Sequence, residues 1–290
     1  MRFARRAAVL GLFAFVSVIS SAAPLRAAQD AAVLTQPVLS DAQQEQFLLK
    51  AKIVRTRDIN KGITGTRRAT LSDGQLSHDA QIQTVDISKF VFTPDRGGQT
   101  ELNFRDTYRF NVAAYRLSRL LGLDNVPVSV ERRVDRGEAA MTWWIDDVMM
   151  DEQERLKRIK LKTVPAGWRP SRTAGYIHVM RVFDELISNS DRNLGNQLWS
   201  SDGKLWMIDH TRTFRFNATL KTPRLLVRCD RRLFAGLRSL TEESVNAAVG
   251  KTLTKEEIRT MFIRRDLIVK LFEEQIAARG EATVLYDLDR

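Results

Sequence analysis

The sequence predicts an α+β fold in two lobes, a small strand-rich N-terminal lobe with one helix and a larger helical C-terminal lobe. Three observations carry that expectation. Residues 51–145 break into short alternating apolar runs separated by Gly- and Asp-containing turns. Within that region a single segment, near 106–121, has helical periodicity. From residue 146 onward, helix-period segments with capping signals dominate.

Taken in order, Arg2, Arg5 and Arg6 precede an uncharged apolar run over residues 7–19, and small residues follow to Ala28. That is the layout of a signal peptide, and the run is shorter than the roughly 20 apolar residues a membrane-spanning helix needs. Residues 1–28 are therefore expected to direct export, to the periplasm or outside the cell. A Sec signal fits better than a twin-arginine one, and an uncleaved N-terminal anchor is the alternative. No membrane span is expected after cleavage. Residues 29–46 are polar and Ala-rich and read as a linker. The strand-rich lobe is expected over 47–145 and the helical lobe over 146–290.

In the first lobe, strands are expected at 51–59, 66–71 and 77–87, with turns at 60–65 and at Asp73-Gly74. A loop at 94–98 leads to a helix from Asp106, a candidate N-cap, that buries Phe110, Ala113, Ala114, Leu117 and Leu121 and stops at Gly122. Strands at 126–134 and 139–145 then flank the turn Asp135-Arg136-Gly137. In the second lobe, helices are expected near 148–161 and over 171–188, 239–249 and 254–279, with short strands around the motifs between them. The capping box Thr254-Lys-Glu-Glu257 opens the last helix, and Gly280 closes it.

The chain carries a formal charge of +11, of which +7 remains without Arg2, Arg5, Arg6 and Arg26. Its densest basic cluster is Arg155, Lys157, Arg158, Lys160 and Lys162. Such a cluster suits an acidic substrate, a phosphate-rich ligand or anionic lipid, or is a solvated helix face. Nucleic acid is not an expected partner, because no aromatic residues interleave these charges and no reading motif occurs. Cys229 is the sole cysteine, so no intramolecular disulfide is available and an exported domain must rely on its core.

The chemistry-bearing stretch is Ile187-Ser-Asn-Ser-Asp191-Arg-Asn-Leu-Gly195-Asn196, followed by Leu205-Trp-Met-Ile-Asp209-His210-Thr-Arg212. Asp191 and Asn196 have the Asp-x-x-x-x-Asn spacing of a phosphoryl-transfer loop, and Asp209 ends an apolar strand that delivers a carboxylate to a cleft. Asp191 is the candidate catalytic residue that orients the attacking hydroxyl, and Asn196 and Asp209 are the candidate metal ligands. The alternative is an Asp/Asn-rich turn whose side chains cap neighbouring backbone groups. Arg192, His210 and Arg212 are candidates to support the phosphates or the loop. With only three histidines and no second motif at ligand spacing, a metal-hydrolase site is not expected. Gly62 and Gly65 suit either a loop bent over phosphates or a plain hairpin turn. Trp143 and Trp144 end the fifth strand where a hinge would meet adenine, or pack in the core.

By these residues, and by Ala113-Ala-Tyr-Arg-Leu-Ser-Arg-Leu-Leu-Gly-Leu-Asp-Asn-Val-Pro127 leading into Val130-Glu-Arg, the chain resembles the atypical kinases. These comprise the phosphatidylinositol 3-/4-kinase-like group, HipA-like bacterial kinases and secretory-pathway Golgi kinases. The resemblance spans roughly residues 52–214 and implies a two-lobed protein-kinase-like fold, ATP, and Mg²⁺ with Mn²⁺ as a substitute. It implies Asp191 as catalytic residue and Asn196 and Asp209 as metal ligands. The chain departs from the pattern in three places. Asn193 stands where many such kinases have His. Gln83 stands where the phosphate-gripping strand lysine is expected, and Asn111 where its glutamate partner is expected. A Gln and Asn pair can hydrogen-bond but supplies no cation. Lys61 and Lys89 are the nearest substitutes, Lys89 the better placed.

Three functional readings follow. The first is an Mg²⁺-dependent ATP phosphotransferase acting on a protein, lipid or small-molecule hydroxyl. The second is an exported pseudokinase that keeps the fold as a binding module, and the third is a nucleotidyltransferase using the same residues.

Overall fold

A computed structural model describes residues 39–59, 66–93, 100–165, 168 and 170–290. The chain there opens with a helix, α1 (Asp41–Lys50), where a linker and the first residues of the strand-rich lobe were expected. Ser40 and Gln43 form a capping box at its start, and it buries Phe47 and Leu48. Its other residues are largely polar, which hides a helix that is held by its cap and two apolar contacts.

The strands β1 (Lys52–Asp58), β2 (Arg67–Ser72) and β3 (Ser77–Gln83) form an antiparallel meander, joined by β6 (Ser129–Val134) and β7 (Gly137–Trp143) in the order β1-β2-β3-β7-β6. The expected third strand, 77–87, is two strands. β3 ends at Gln83, and β4 (Asp86–Phe92) turns away to pair with β5 (Glu101–Thr107) as a separate two-stranded hairpin. Asp106 therefore lies in β5. It does not cap the next helix, α2 (Arg109–Leu120), whose N-cap is Tyr108.

Helix α2 packs on the sheet through the predicted stripe of Phe110, Ala113, Ala114 and Leu117, all fully buried, and ends with Gly122 at φ +69 in the left-handed region. The short strand β8 (Met150–Asp151) leads into α3 (Glu152–Leu161) and α4 (Pro170–Leu186). Then come β9 (Gln197–Trp199) and β10 (Leu205–Met207), antiparallel to each other, with β8 on the far side of β9. β11 (Cys229–Asp230), α5 (Arg231–Ser239), α6 (Glu242–Val249), α7 (Lys255–Arg279), α8 (Glu281–Val284) and β12 (Leu285–Tyr286) complete the helical part. α5 was not expected as a separate helix, and α7 has the predicted Thr254 capping box. Among the described residues no helix is long and apolar enough to cross a membrane.

The expected basic cluster is split by its own helix. Arg155 turns inward to ion-pair with buried Glu152, which also accepts the Trp199 Nε1–H at 2.7 Å. Arg158 pairs with Glu154, while Lys157, Lys160 and Lys162 face solvent.

Phe110 joins the two parts of the core, because its ring centroid lies 5.4 Å from that of Phe214, just beyond the Asp209 motif. Phe110→Ala is expected to destabilise the fold by about 3–5 kcal/mol, read from the midpoint of urea unfolding.

Candidate active site

Helix α4 aims the first motif. Tyr176, Val179, Val182, Phe183 and Leu186 are buried along it, so its position is set by the core. It stops in a Schellman arrangement: Ser188 is left-handed at φ +48, its N–H donates to the Glu185 carbonyl, and the Asn189 N–H donates to the Asp184 carbonyl. The Asn189 side chain accepts the Asp191 N–H at 2.9 Å, and the Asn193 side chain accepts the Gly195 N–H at 2.9 Å. The backbone of the loop is thus capped by asparagines. The Asp191 carboxylate accepts a hydrogen bond from no described residue, which answers the capping alternative for that side chain.

Asn196 is buried, and its Nδ2 donates to the Asp191 carbonyl at 3.1 Å while its Oδ1 accepts from no described residue. Asp209 follows β10 with φ +55, a left-handed conformation that Asp tolerates better than most residues. Its Oδ1 accepts from Gln83 Nε2 at 3.2 Å and from Thr211 Oγ1 at 3.3 Å. Burial first, and then the neighbouring carboxylates of Asp191 and Asp106, push the Asp209 acid above its ordinary range against those two hydrogen bonds.

Gln83 and Asn111 meet this site. Asn111 Nδ2 donates to Gln83 Oε1 at 2.5 Å, and Asn111 Oδ1 accepts the His210 N–H at 2.8 Å. A chain of amides therefore runs from β3 through α2 to the Asp209 turn. Lys89 does not join it: on β4 its Nζ lies 5.2 Å over the Phe92 ring. Gly62, Gly65 and Lys61 lie outside the described residues. Trp143 stacks on His78 at 3.7 Å between centroids, and the Arg68 guanidinium sits 4.0 Å from the Trp144 centroid, so both tryptophans have internal packing partners.

Arg192 ties the loop together. Its Nε and Nη2 donate to Asp184, its Nη1 donates to the carbonyls of Asn196 and Ile208, both at 2.9 Å, and its Nη2 lies 2.9 Å from His210 Nε2. Burial, with Arg192 beside it, drives the His210 imidazole well below its ordinary pKa, so the ring is neutral and Nε2 accepts. Arg192 and His210 are support for the loop.

Two features were not visible in the sequence. Asp106 is buried with one oxygen unpartnered, and its Oδ2 accepts from Arg212 Nε at 2.8 Å. Beside Asp209 lies a small groove whose walls are Val126, Pro127, Ser129, Thr142 and Ile208 together with Gln81, Asn111 and His210. Apolar spacing gave the strands but no means of knowing which residues face a cleft.

No protein-family model matches the chain, and no curated protein matches it. Among solved structures, that of hydra Fam20 with sugar is similar at 16% identity and a TM-score of 0.61, covering 85% of this chain and 92% of that one. The Helicobacter pylori proinflammatory kinase CtkA is similar at 10% identity and a TM-score of 0.48, covering 80% of this chain and 97% of that one. The likeness to hydra Fam20 shows the fold, which is the two-lobed, kinase-like α+β architecture.

Two outcomes follow from this geometry. Arg192→Met leaves Asp184 as an uncompensated charge and is expected to cost about 3–5 kcal/mol in urea unfolding. Because Asp209 is held above the ordinary 3.8, its ionisation destabilises the fold as pH rises through the shifted value. Asp209→Asn is therefore expected to raise the melting temperature near neutral pH without divalent cations, and the gain should shrink as pH falls toward the ordinary carboxylate range.

Proposed function

We propose that this chain is an exported, Mg²⁺-dependent phosphotransferase that uses ATP on a hydroxyl-bearing substrate. The observation that carries the reading is the openness of the motif's acceptors. The loop backbone is capped by Asn189 and Asn193, yet the Asp191 carboxylate, Asn196 Oδ1 and Asp209 Oδ2 accept no hydrogen bond from any described residue. Those are the acceptors that phosphoryl transfer requires.

The donor set fits magnesium. Among the described residues no three His, Cys, Asp or Glu side chains gather into a cage, and Mg²⁺ usually needs only one or two carboxylates beside substrate phosphates. Burial and the carboxylates of Asp191 and Asp106 disfavour the ionised form of Asp209, and a bound divalent cation would relieve that. Held by Asn196 and Asp209, Mg²⁺, or Mn²⁺ in its place, supplies charge neutralisation on the nucleotide's phosphates.

Asp191 takes the proton of the substrate hydroxyl as that oxygen bonds to the γ-phosphorus. The bond from the γ-phosphorus to the β,γ-bridging oxygen breaks, and ADP leaves with that electron pair. The cleft beside Asp209 has apolar walls at Val126, Pro127 and Ile208, and a hydroxyl pair, Ser129 and Thr142, 2.9 Å apart. The substrate class is a protein, lipid or small-molecule hydroxyl, and the sugar in the hydra Fam20 structure adds sugar hydroxyls to the acceptors worth screening.

The neutral Gln83 and Asn111 favour a second reading, a binding module that keeps the fold without transfer. The two readings separate in solution. Mg-ATP is expected to raise the melting temperature of the wild type, and labelled phosphate to reach an acceptor. Asp191→Asn should retain the thermal shift while transfer falls by about 10²-fold or more. A clear Mg-ATP shift counts against the binding module, and mass analysis showing AMP rather than phosphate on the acceptor would establish nucleotidyl transfer.

A further inference from the structure

We propose that Arg212, in the helical part of the molecule, supplies the phosphate-binding cation that β3 lacks. The assignment rests on the phosphotransfer reading, since it places a nucleotide in the cleft beside Asp209. It begins with a deficit. The carboxylates of Asp191 and Asp106 bear on buried Asp209, and Gln83, which donates to Asp209, brings no charge to offset them. A polyphosphate entering such a site meets repulsion unless a cation faces it.

Of the other cations, Arg105 is ion-paired with Glu257, and exposed Lys89 lies on β4 over Phe92, much as Arg212 lies over Phe104. Arg215 donates to the Arg105 carbonyl and to Ser190 Oγ and pairs with Glu101. Arg192 is consumed by Asp184, His210 and two carbonyls.

Arg212 differs. Its Nε donates to Asp106 Oδ2, its two terminal nitrogens donate to no described residue, and its side chain is 36% exposed. Its carbonyl accepts both the N–H and the Oγ–H of Ser190, which fixes its backbone against the residue before Asp191. The guanidinium is anchored on one edge and open on the other. That is the form in which Arg recognises phosphate oxygens through paired N–H donors. Burial works against its charge, but the Asp106 hydrogen bond and the carboxylates of Asp106, Asp191 and Asp209 together hold it protonated.

The competing account is that Arg212 only neutralises buried Asp106. It is separated by measuring Mg-ATP and adenosine binding to the full chain, by thermal shift and calorimetry, for the wild type, Arg212→Gln, Arg212→Lys and the double variant Asp106→Asn with Arg212→Gln. The double variant removes the charge that Arg212 would otherwise leave unpaired, so it stays folded if the single variant does not. The expected result is an ATP affinity about tenfold to a hundredfold weaker in both Gln variants, in line with loss of a hydrogen bond between charged groups. Adenosine binding should be unchanged, and Arg212→Lys should recover part of the loss. The proposal is overturned if the double variant binds ATP like the wild type, or if Arg212→Gln weakens ATP and adenosine equally. A wild type that binds adenosine and ATP with equal affinity also overturns it. A wild type that binds neither removes the underlying phosphotransfer reading as well.

Discussion

The candidate site depends on one half-buried guanidinium. Arg192 has five N–H donors, and the structure gives acceptors to its Nε and to both terminal nitrogens: Asp184 from α4, the Asn196 and Ile208 carbonyls, and His210. Such a group is stable in the interior only when its charge and its donors are both answered. The requirement runs outward from there. Asp184 must lie on the last turn of α4, the loop must return its carbonyl at Asn196, and His210 must stay neutral with a lone pair on Nε2. The open acceptors of Asp191, Asn196 and Asp209 inherit their placement from that set of bonds.

The strand-rich part is coupled to this frame by neutral amides. Gln83 and Asn111 are 1% and 5% exposed, and between them they reach Asp209 Oδ1 and the His210 N–H. An ion pair at this depth would carry a desolvation cost that an amide pair avoids, while the amides still fix orientation through directional hydrogen bonds. The geometry that a lysine and glutamate would provide is kept, and the charge they would provide is not. A site arranged in this way separates two functions usually held by one residue: registering the two lobes, and attracting phosphate.

How much of this was legible in the sequence follows the range of each interaction. The stripe on α2, the Gly122 stop and the Thr254 cap were legible because they depend on residues within a turn or two of each other. Asp191 and Asn196 could be singled out by their five-residue spacing, and Asp209 because it ends an apolar strand. α1 was missed because its cap and two apolar residues sit in a polar stretch. The β4 and β5 hairpin was missed because alternation ran unbroken past Gln83, and pairing partners are not written in alternation. Asp106 looked like a cap because a carboxylate before a helical run usually is one; its true partner, Arg212, is over a hundred residues away. Lys89 was close in sequence to the strand that needed a cation, yet the chain turns into β4 first and carries it off.

The left-handed backbone at Asp209 narrows what that position can become. At φ +55 the residues that fit with little strain are Gly, Asn and Asp. Most replacements at 209 would be resisted by the fold itself. The one change that removes the carboxylate while keeping size, shape and a carbonyl acceptor for Gln83 and Thr211 is to Asn. Removing the negative charge at this turn is then a single step that leaves the backbone in place.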